Sequence, residues 1–459
     1  MAALQTILAF LVMIGLVITL HEWGHYRMAK AFNIKIKRFS IGFGKPLWRT
    51  LRGPDRTEFV LSMIPLGGYV QMLDEREGPV APEEAVRAFN RQSVFKRFAV
   101  VAAGPLVNLL LAVLLFWGIL YFHGEQDIQT VIAAPDAGTR AAAAGLHERD
   151  RVIAVAGLPV THWSQLHERL VDAVVGASVI PIAVRDAQGR ERTLSLDLSG
   201  FNDGELGRET FARIGLTPYF PPIPPVVSTL EAAGPAERGG LAAGDRVLSV
   251  NGNGVNDFKQ IADIVKVNPD QLLHFVVERS GSRVQLNITP ARHKLSDGDY
   301  IGRIGAGPDA GVVSALLDTY RVNLTYSAVG AAQESLRKSG EMIAMTLRVL
   351  GKMLTGSFSV RNLSGPLTMA DYAGETARIG LIAFLGYVAV VSLNIGLFNL
   401  FPIPLLDGGH LMYYTVEMIT GAPVSERVME IGQRIGIAVL ATLMGVAIYN
   451  DISRIFTAS

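Results

Sequence analysis

The sequence predicts a polytopic α-helical membrane protein with four transmembrane helices, a membrane-associated β-hairpin and two β-rich soluble modules. Three observations carry this. Of 459 residues, 49% are hydrophobic and only 18% charged, with a mean hydropathy of +0.31, a balance that points to a bilayer. The apolar residues gather into four runs of a length suited to a hydrocarbon core of about 30 Å. Between the second and third runs the composition turns soluble, and a pattern recurs ninety-five positions further on, the signature of a duplicated module. The formal net charge of +1 gives no reason to expect a polyanion, so no nucleic-acid partner is implied. With no cysteine, disulfides and thiolate zinc sites are excluded, and any metal must be held by His, Asp or Glu.

The first element, residues 1–31, is a transmembrane helix that ends in chemistry. Thr6 to Leu20 runs without charge or proline into His21-Glu22-Trp23-Gly24-His25. Two histidines at i and i+4 share one face of a helix, where both imidazoles can reach one Zn²⁺ while the adjacent glutamate deprotonates water. The bland alternative is a pair of histidines and a glutamate capping a buried helix. Metal-binding groups inside an apolar segment are costly and therefore point to function. Met1 to Gln5 holds no basic residue, whereas Arg27, Lys30, Lys35, Lys37 and Arg38 follow the run. The helix is thus expected to run from outside to inside and to remain uncleaved. From Leu4 to His21 is about 25 Å at the helical rise, which places the motif inside the membrane near its cytoplasmic face.

Residues 32–97 are basic and aperiodic, hence a cytoplasmic loop. Phe39 to Gly44 and Glu58 to Met72 read as short strands with glycine turns. Beside an intramembrane site, such a hairpin is either an ordinary cytoplasmic one or an edge that pairs with substrate, because lipid does not tolerate a bare sheet edge. Residues 98–122 form the second span, interrupted by Gly104-Pro105 and Asn108. A mid-span proline frees a carbonyl, and Asn108 is either its local partner or a group that faces the site.

Residues 127–220 and 221–305 are the two modules. Ala144-Gly145-Leu146 through Gly157 realigns with Gly239-Gly240-Leu241 through Gly252. The shared pattern resembles PDZ domains, and the second copy fits well, with Gly234-Pro235-Ala236 just upstream. The first copy has Arg149 where such domains carry glycine. The resemblance implies either peptide ligands added to a sheet edge or a steric filter that binds nothing.

Residues 310–378 are amphipathic: Leu316, Leu317, Tyr320 and Leu324, then Met342, Met345, Leu347, Leu350 and Met353, recur at helical spacing. A soluble core helix would show the same, but the position next to a span predicts a periplasmic membrane-surface region. Asn362 to Leu367 reads as a loop. Residues 379–407 hold the third span, with Asn394 and Asn399 in its distal half, and end at Pro402-Ile403-Pro404-Leu405-Leu406-Asp407-Gly408-Gly409-His410. By parity of crossings this end lies at the depth of His21 and His25, so Asp407 is the candidate third zinc ligand and His410 the competing one. Residues 431–450 supply a short fourth span, which leaves both termini outside.

Taken together, HEWGH in a first span, Ile41 to Gly44, Ile64 to Val70, two PDZ-like modules, Asn362 to Pro366 and Asn399 to Gly408 resemble the site-2 protease family of intramembrane zinc metalloproteases. The resemblance covers nearly the whole chain and lies closest to the bacterial branch that regulates an envelope-stress sigma factor. It implies a Gram-negative inner-membrane protein with periplasmic modules that cleaves within transmembrane segments. The implied substrates are single-pass membrane proteins: an anti-sigma factor already trimmed outside, and remnant signal peptides. By motif, His21, His25 and Asp407 would bind Zn²⁺ and Glu22 would be the general base. Asn394 and Asn399 would hold the substrate backbone, and Gly67, Gly68 and Tyr69 belong to the segment that matches the family's membrane-re-entrant β-loop. The rival reading is a membrane-anchored PDZ scaffold with an inert metal motif. A transporter with an intramembrane metal is disfavoured because the repeat is soluble and the spans show no inverted repeat.

Overall fold

A computed structural model describes residues 2–176, 178–199, 208–294, 300–355 and 365–458. Two compact units form, one from Met1–Gly124 with Thr325–Ser459 and the other from Glu125–Leu324.

Four helices among the described residues are long and apolar enough to cross a membrane. The first, α1 (Ala2–Ala31), is unbroken through the histidine motif. It is followed by two long antiparallel strands, β1 (Ile36–Arg52) and β2 (Thr57–Met72). Each strand bends. Arg38 to Ile41 therefore has partners on both sides, Gln71 to Gly68 on one and Glu58 to Leu61 on the other, while Trp48 to Arg52 pairs with Leu61 to Thr57. The predicted hairpin is thus a wider ribbon, with 68–72 at one edge and 46–52 at the other.

The second span, α2 (Val94–His123), starts four residues earlier than expected and continues through Pro105 without ending. Beyond the other unit come α3 (Ala328–Leu354), α4 (Pro366–Ile379), α5 (Leu381–Asn399), α6 (Asp407–Thr420) and α7 (Glu426–Ala458). Lipid tails are as apolar as leucine, so apolar contact alone gives these helices little reason to associate; small residues and interhelical hydrogen bonds must do it. That is what is found. Ala112 and Ala389 are fully buried between α2 and α5, Ser392 Oγ donates to the Asn108 carbonyl at 2.8 Å, and a Cβ on Gly396 would sit 2.9 Å from the Pro105 carbonyl oxygen. Met13 and Val17 of α1 are buried with Ala373 of α4 and Val388 of α5.

One expectation for residues 310–378 changes. A helix spans Ala310–Asp318, but Arg321–Leu324 is a strand paired with Glu125–Ile128, so Tyr320 and Leu324 do not extend that helix. Backbone pairing with a segment almost two hundred residues away overrides the local periodicity. Met342 and Ile343 of α3 pack on Ala112, Ala389 and Leu393, while Met345 and Leu347 of the same stripe stay exposed, so only part of the stripe meets α2 and α5. Of the loop at Asn362 to Leu367, residues 362–364 lie outside the described residues.

In the other unit, the two modules build the same four-stranded order. Module one orders Leu158–Pro159, Arg151–Val155, Val179–Arg185 and Glu191–Asp197; module two orders Asn253–Gly254, Arg246–Val250, Leu273–Arg279 and Ser282–Ile288. The repeat is physical down to the turns: Asp150 accepts from the His147 amide and Asp245 from the Ala242 amide, both at 2.8 Å. In module two the helix Phe258–Lys266 buries Phe258, Ile261 and Val265 along one face, each side chain contributing about 1.5–3 kcal/mol. Arg149 takes φ 67° where Gly244 takes φ 92°, a left-handed conformation that costs a non-glycine residue about 1–2 kcal/mol. The Tyr219 hydroxyl, which accepts from the Arg149 guanidinium at 2.7 Å, holds it there.

Candidate metal centre

The helical spacing of the motif does what the sequence requires: His21 Nε2 and His25 Nε2 lie 3.2 Å apart on one face of α1. Asp407 is brought to them from the far end of the chain. After α5 ends, Pro402 and Pro404 prevent a simple continuation, and a new helix begins at Asp407. Its Oδ2 lies 3.0 Å from His21 Nε2 and 3.5 Å from His25 Nε2.

Three ligand atoms thus converge at 3.0–3.5 Å, and the hydrogen-bond chemistry says what they lack. His25 Nδ1 donates to the Val100 carbonyl at 2.8 Å, which leaves Nε2 with a bare lone pair. His21 Nδ1 faces the Asn108 amide at 3.2 Å. With the amide nitrogen on that side, Asn108 Oδ1 is buried without a partner. Turning the amide lets Oδ1 accept from Nδ1, which frees His21 Nε2 as well. Asp407 Oδ2 is buried without a hydrogen-bond donor, so its approach to His21 is better read as lone pairs facing one another than as a salt bridge. Ligands at about 2.0–2.2 Å around a tetrahedral zinc stand roughly 3.3–3.6 Å apart. Two imidazoles and a carboxylate with an open fourth position are a catalytic zinc donor set, and the residues fit the ion.

Helix α2 is essential to this geometry. A Cβ on Gly104 would lie 2.3 Å from His25 Nε2 and 2.9 Å from His21 Nε2, and one on Gly24 would lie 2.5 Å from the Ala103 carbonyl oxygen. The two glycines let α1 and α2 meet backbone to backbone. The sequence signal was present as Gly104-Pro105, but it reads first as a helix break.

A cavity of about 650 Å³ opens on the three ligands and is also lined by Glu22, Tyr69, Val70 and His410. Glu22 and Val70 face the same cavity, and a Cβ on Gly68 would lie 3.0 Å from Glu22 Cγ. The inner edge of the ribbon therefore crosses directly over the glutamate. Gly67 takes φ 114° and stacks on Phe43, where a Cβ would clash at 2.1 Å. His410 lines the cavity one helical turn beyond Asp407 but stays outside the three-donor group. Asn394 and Asn399 are not among the lining residues; Asn394 Oδ1 accepts from Thr346 of α3 at 3.4 Å.

Farther from the ligands, the cavity wall carries two ion pairs. Arg97 of α2 donates to Glu417 of α6 at 2.5 Å and lies over the Tyr414 ring at 4.9 Å. Arg76 donates to Asp74. Burial pushes the Asp74 carboxyl up, and the Arg76 hydrogen bonds outweigh it, so the group rests below the ordinary carboxylate range.

Comparison with known proteins agrees with this geometry. The profile of peptidase family M50 matches residues 9–443. The regulator of sigma-E protease RseP of Escherichia coli K12 is 37% identical over 449 residues, covering 97% of this chain and 98% of that one. The regulator of sigma E protease of Salmonella typhi is also 37% identical, over 99% and 100% of the two chains. A Vibrio cholerae protein named as a zinc metalloprotease is 36% identical over 98% and 99%. The chain belongs to peptidase family M50 and is a zinc metalloendopeptidase of the site-2 protease type.

Proposed function

We propose that this peptidase hydrolyses peptide bonds within transmembrane segments, with His21, His25 and Asp407 as zinc ligands and Glu22 as general base. The observation that carries the reading is the convergence of three ligand atoms beside Glu22, in the wall of one cavity. When bound, zinc supplies the Lewis acidity that activates water and polarises a carbonyl. Glu22 accepts the proton of the attacking water and passes it to the leaving amine. His25 is held in its donor tautomer by Val100, and His21 by Asn108.

A transmembrane substrate arrives as a helix whose carbonyls are bonded within itself, so attack requires local unwinding. The ribbon edge at Gly67, Gly68 and Tyr69 offers replacement backbone bonds by strand addition. Asn394 and Asn399 hold the substrate backbone on the other side, Asn394 after exchanging its bond to Thr346. In this reading the active site lies near the cytoplasmic face of a bacterial inner membrane, with both termini and the PDZ-like modules periplasmic, and the basic loops support that orientation. The names of the relatives support an anti-sigma factor, trimmed beforehand on the outer side, as substrate; the modules either bind its exposed end or screen untrimmed substrates by size.

The test is cleavage of a model transmembrane substrate by the purified protein. A zinc chelator should abolish cleavage, and replacing helix-breaking residues of the substrate with leucine should slow it. An unchanged rate after that replacement would remove unwinding from the mechanism.

A further inference from the structure

The edge of the ribbon opposite the active site has no role in the chemistry above. In the stretch 46–52, Leu47 is 67% exposed and Trp48 and Leu51 are each 54% exposed, and this stretch pairs on one side only among the described residues. A long, apolar, unpaired edge invites association with another chain unless something covers it. Hydrocarbon cannot cover it, because the free N–H and C=O groups would be left unsatisfied. Lipid headgroups and their water can.

Charge identifies the kind of headgroup. Lys45, Arg49, Arg52 and Arg56 are all exposed along this stretch and its turn. The nearby acids are engaged: Asp55 takes both bonds of Arg87 at 2.7 Å, and Glu58 takes Arg38 at 2.7 Å and Arg49 at 3.9 Å, so a headgroup would be held by Lys30 and Arg52 and not by Arg49. A second observation is independent of the edge. A cavity of about 240 Å³ lies between the end of α1 and the turn after Arg52, lined by Tyr26, Lys30, Arg52, Pro54 and Asp55 among others. Helix α1 is thirty residues long, about 45 Å at the helical rise against a hydrocarbon core of about 30 Å, so Lys30 at its end stands at headgroup level.

We propose that this cavity and the adjoining edge form a binding site for an anionic phospholipid. The phosphate sits between Lys30 and Arg52, and Leu47, Trp48 and Leu51 rest at the top of the acyl region, where tryptophan and basic residues are favoured. A free phosphate would use the cations but leave the apolar side chains bare, which is why the occupant is a lipid. The site fixes the outer edge of the ribbon at the membrane surface and so sets the level of its inner edge at Glu22.

The chain has no cysteine, so Leu47→Cys in the full-length protein can carry a single environment-sensitive fluorophore. Phosphatidylglycerol titrated into phosphatidylcholine nanodiscs should blue-shift the probe and shield it from an aqueous quencher, and the response should weaken with salt. Adding Lys30→Ala and Arg52→Ala should weaken the phosphatidylglycerol response about thirtyfold, at about 1 kcal/mol per basic residue, whereas Lys30→Arg with Arg52→Lys should retain it. Leu51→Ser, which leaves the cations intact, should reduce shielding but not salt dependence. An equal response to pure phosphatidylcholine would overturn the proposal. So would an equal response to inorganic phosphate in detergent, since that describes an anion pocket and not a lipid site. None of these readouts depends on proteolysis.

Discussion

Gly104 and His25 are in contact across the α1–α2 interface so closely that one added methyl group would lie 2.3 Å from the imidazole Nε2. Gly104→Ala should therefore displace His25 and cost about a hundredfold in zinc affinity, the upper range for disturbing the surroundings of a ligand. Gly118→Ala, on the same helix with nothing within 4 Å of its Cβ, is the control and should leave zinc binding unchanged. Zinc titration of the two variants decides the matter.

The Asn108 amide lies 3.2 Å from His21 Nδ1, and with its oxygen turned to that side it would fix the His21 tautomer. Asn108→Ala should weaken zinc binding about tenfold to a hundredfold while leaving the helix intact, because the substituent lies between two helices already packed through small residues. Retention of full affinity would mean that the Asn108 amide does not orient the ligand.

Arg97 and Glu417, with side chains 15% and 17% exposed, link α2 to the helix that begins with the third ligand. Removing one partner leaves a largely buried charge and should cost about 3–5 kcal/mol. Arg97→Glu combined with Glu417→Arg should recover most of that loss in thermal unfolding. A double variant no better than either single one would show that the charge pair does not join the helices.

The pH dependence of module two follows from Asp245, whose carboxyl the Arg279 guanidinium holds below the ordinary carboxylate range. Its folded-state value is depressed, so its contribution to stability is present above the unfolded value of about 3.9 and is lost as pH falls through the folded value. Hydrogen exchange in the strand Arg246–Val250 should accelerate over that acid window. In Arg279→Leu the strand should already exchange faster at neutral pH and change less on acidification.

Much of the site could be read in the sequence because its signals are local or can be counted. His21 and His25 are one helical turn apart, and Asp407 follows from the parity of crossings. The module repeat shows as glycines and aspartates at matched offsets, and the structure returns it as matched turns. What could not be read depends on which neighbour comes close. Gly104 looks like a break until α1 is placed against it, and Asn108 had two readings until His21 chose one. Tyr320 and Leu324 fit a helix until Glu125–Ile128 claims Arg321–Leu324 as a partner. Of the ribbon, the second strand reads almost to its full extent as Glu58 to Met72 against Thr57–Met72, whereas the first reads short, as Phe39 to Gly44 against Ile36–Arg52, because its extension comes from pairing back on Thr57 to Leu61.

The central claim is that Asp407 completes the zinc centre on which Glu22 acts. It is tested most directly by measuring bound zinc and transmembrane-substrate cleavage together in Glu22→Gln and Asp407→Ala. The account predicts that Glu22→Gln keeps zinc and loses cleavage, while Asp407→Ala loses both; an Asp407→Ala protein that retained zinc at full affinity and cleaved at the original rate would contradict it.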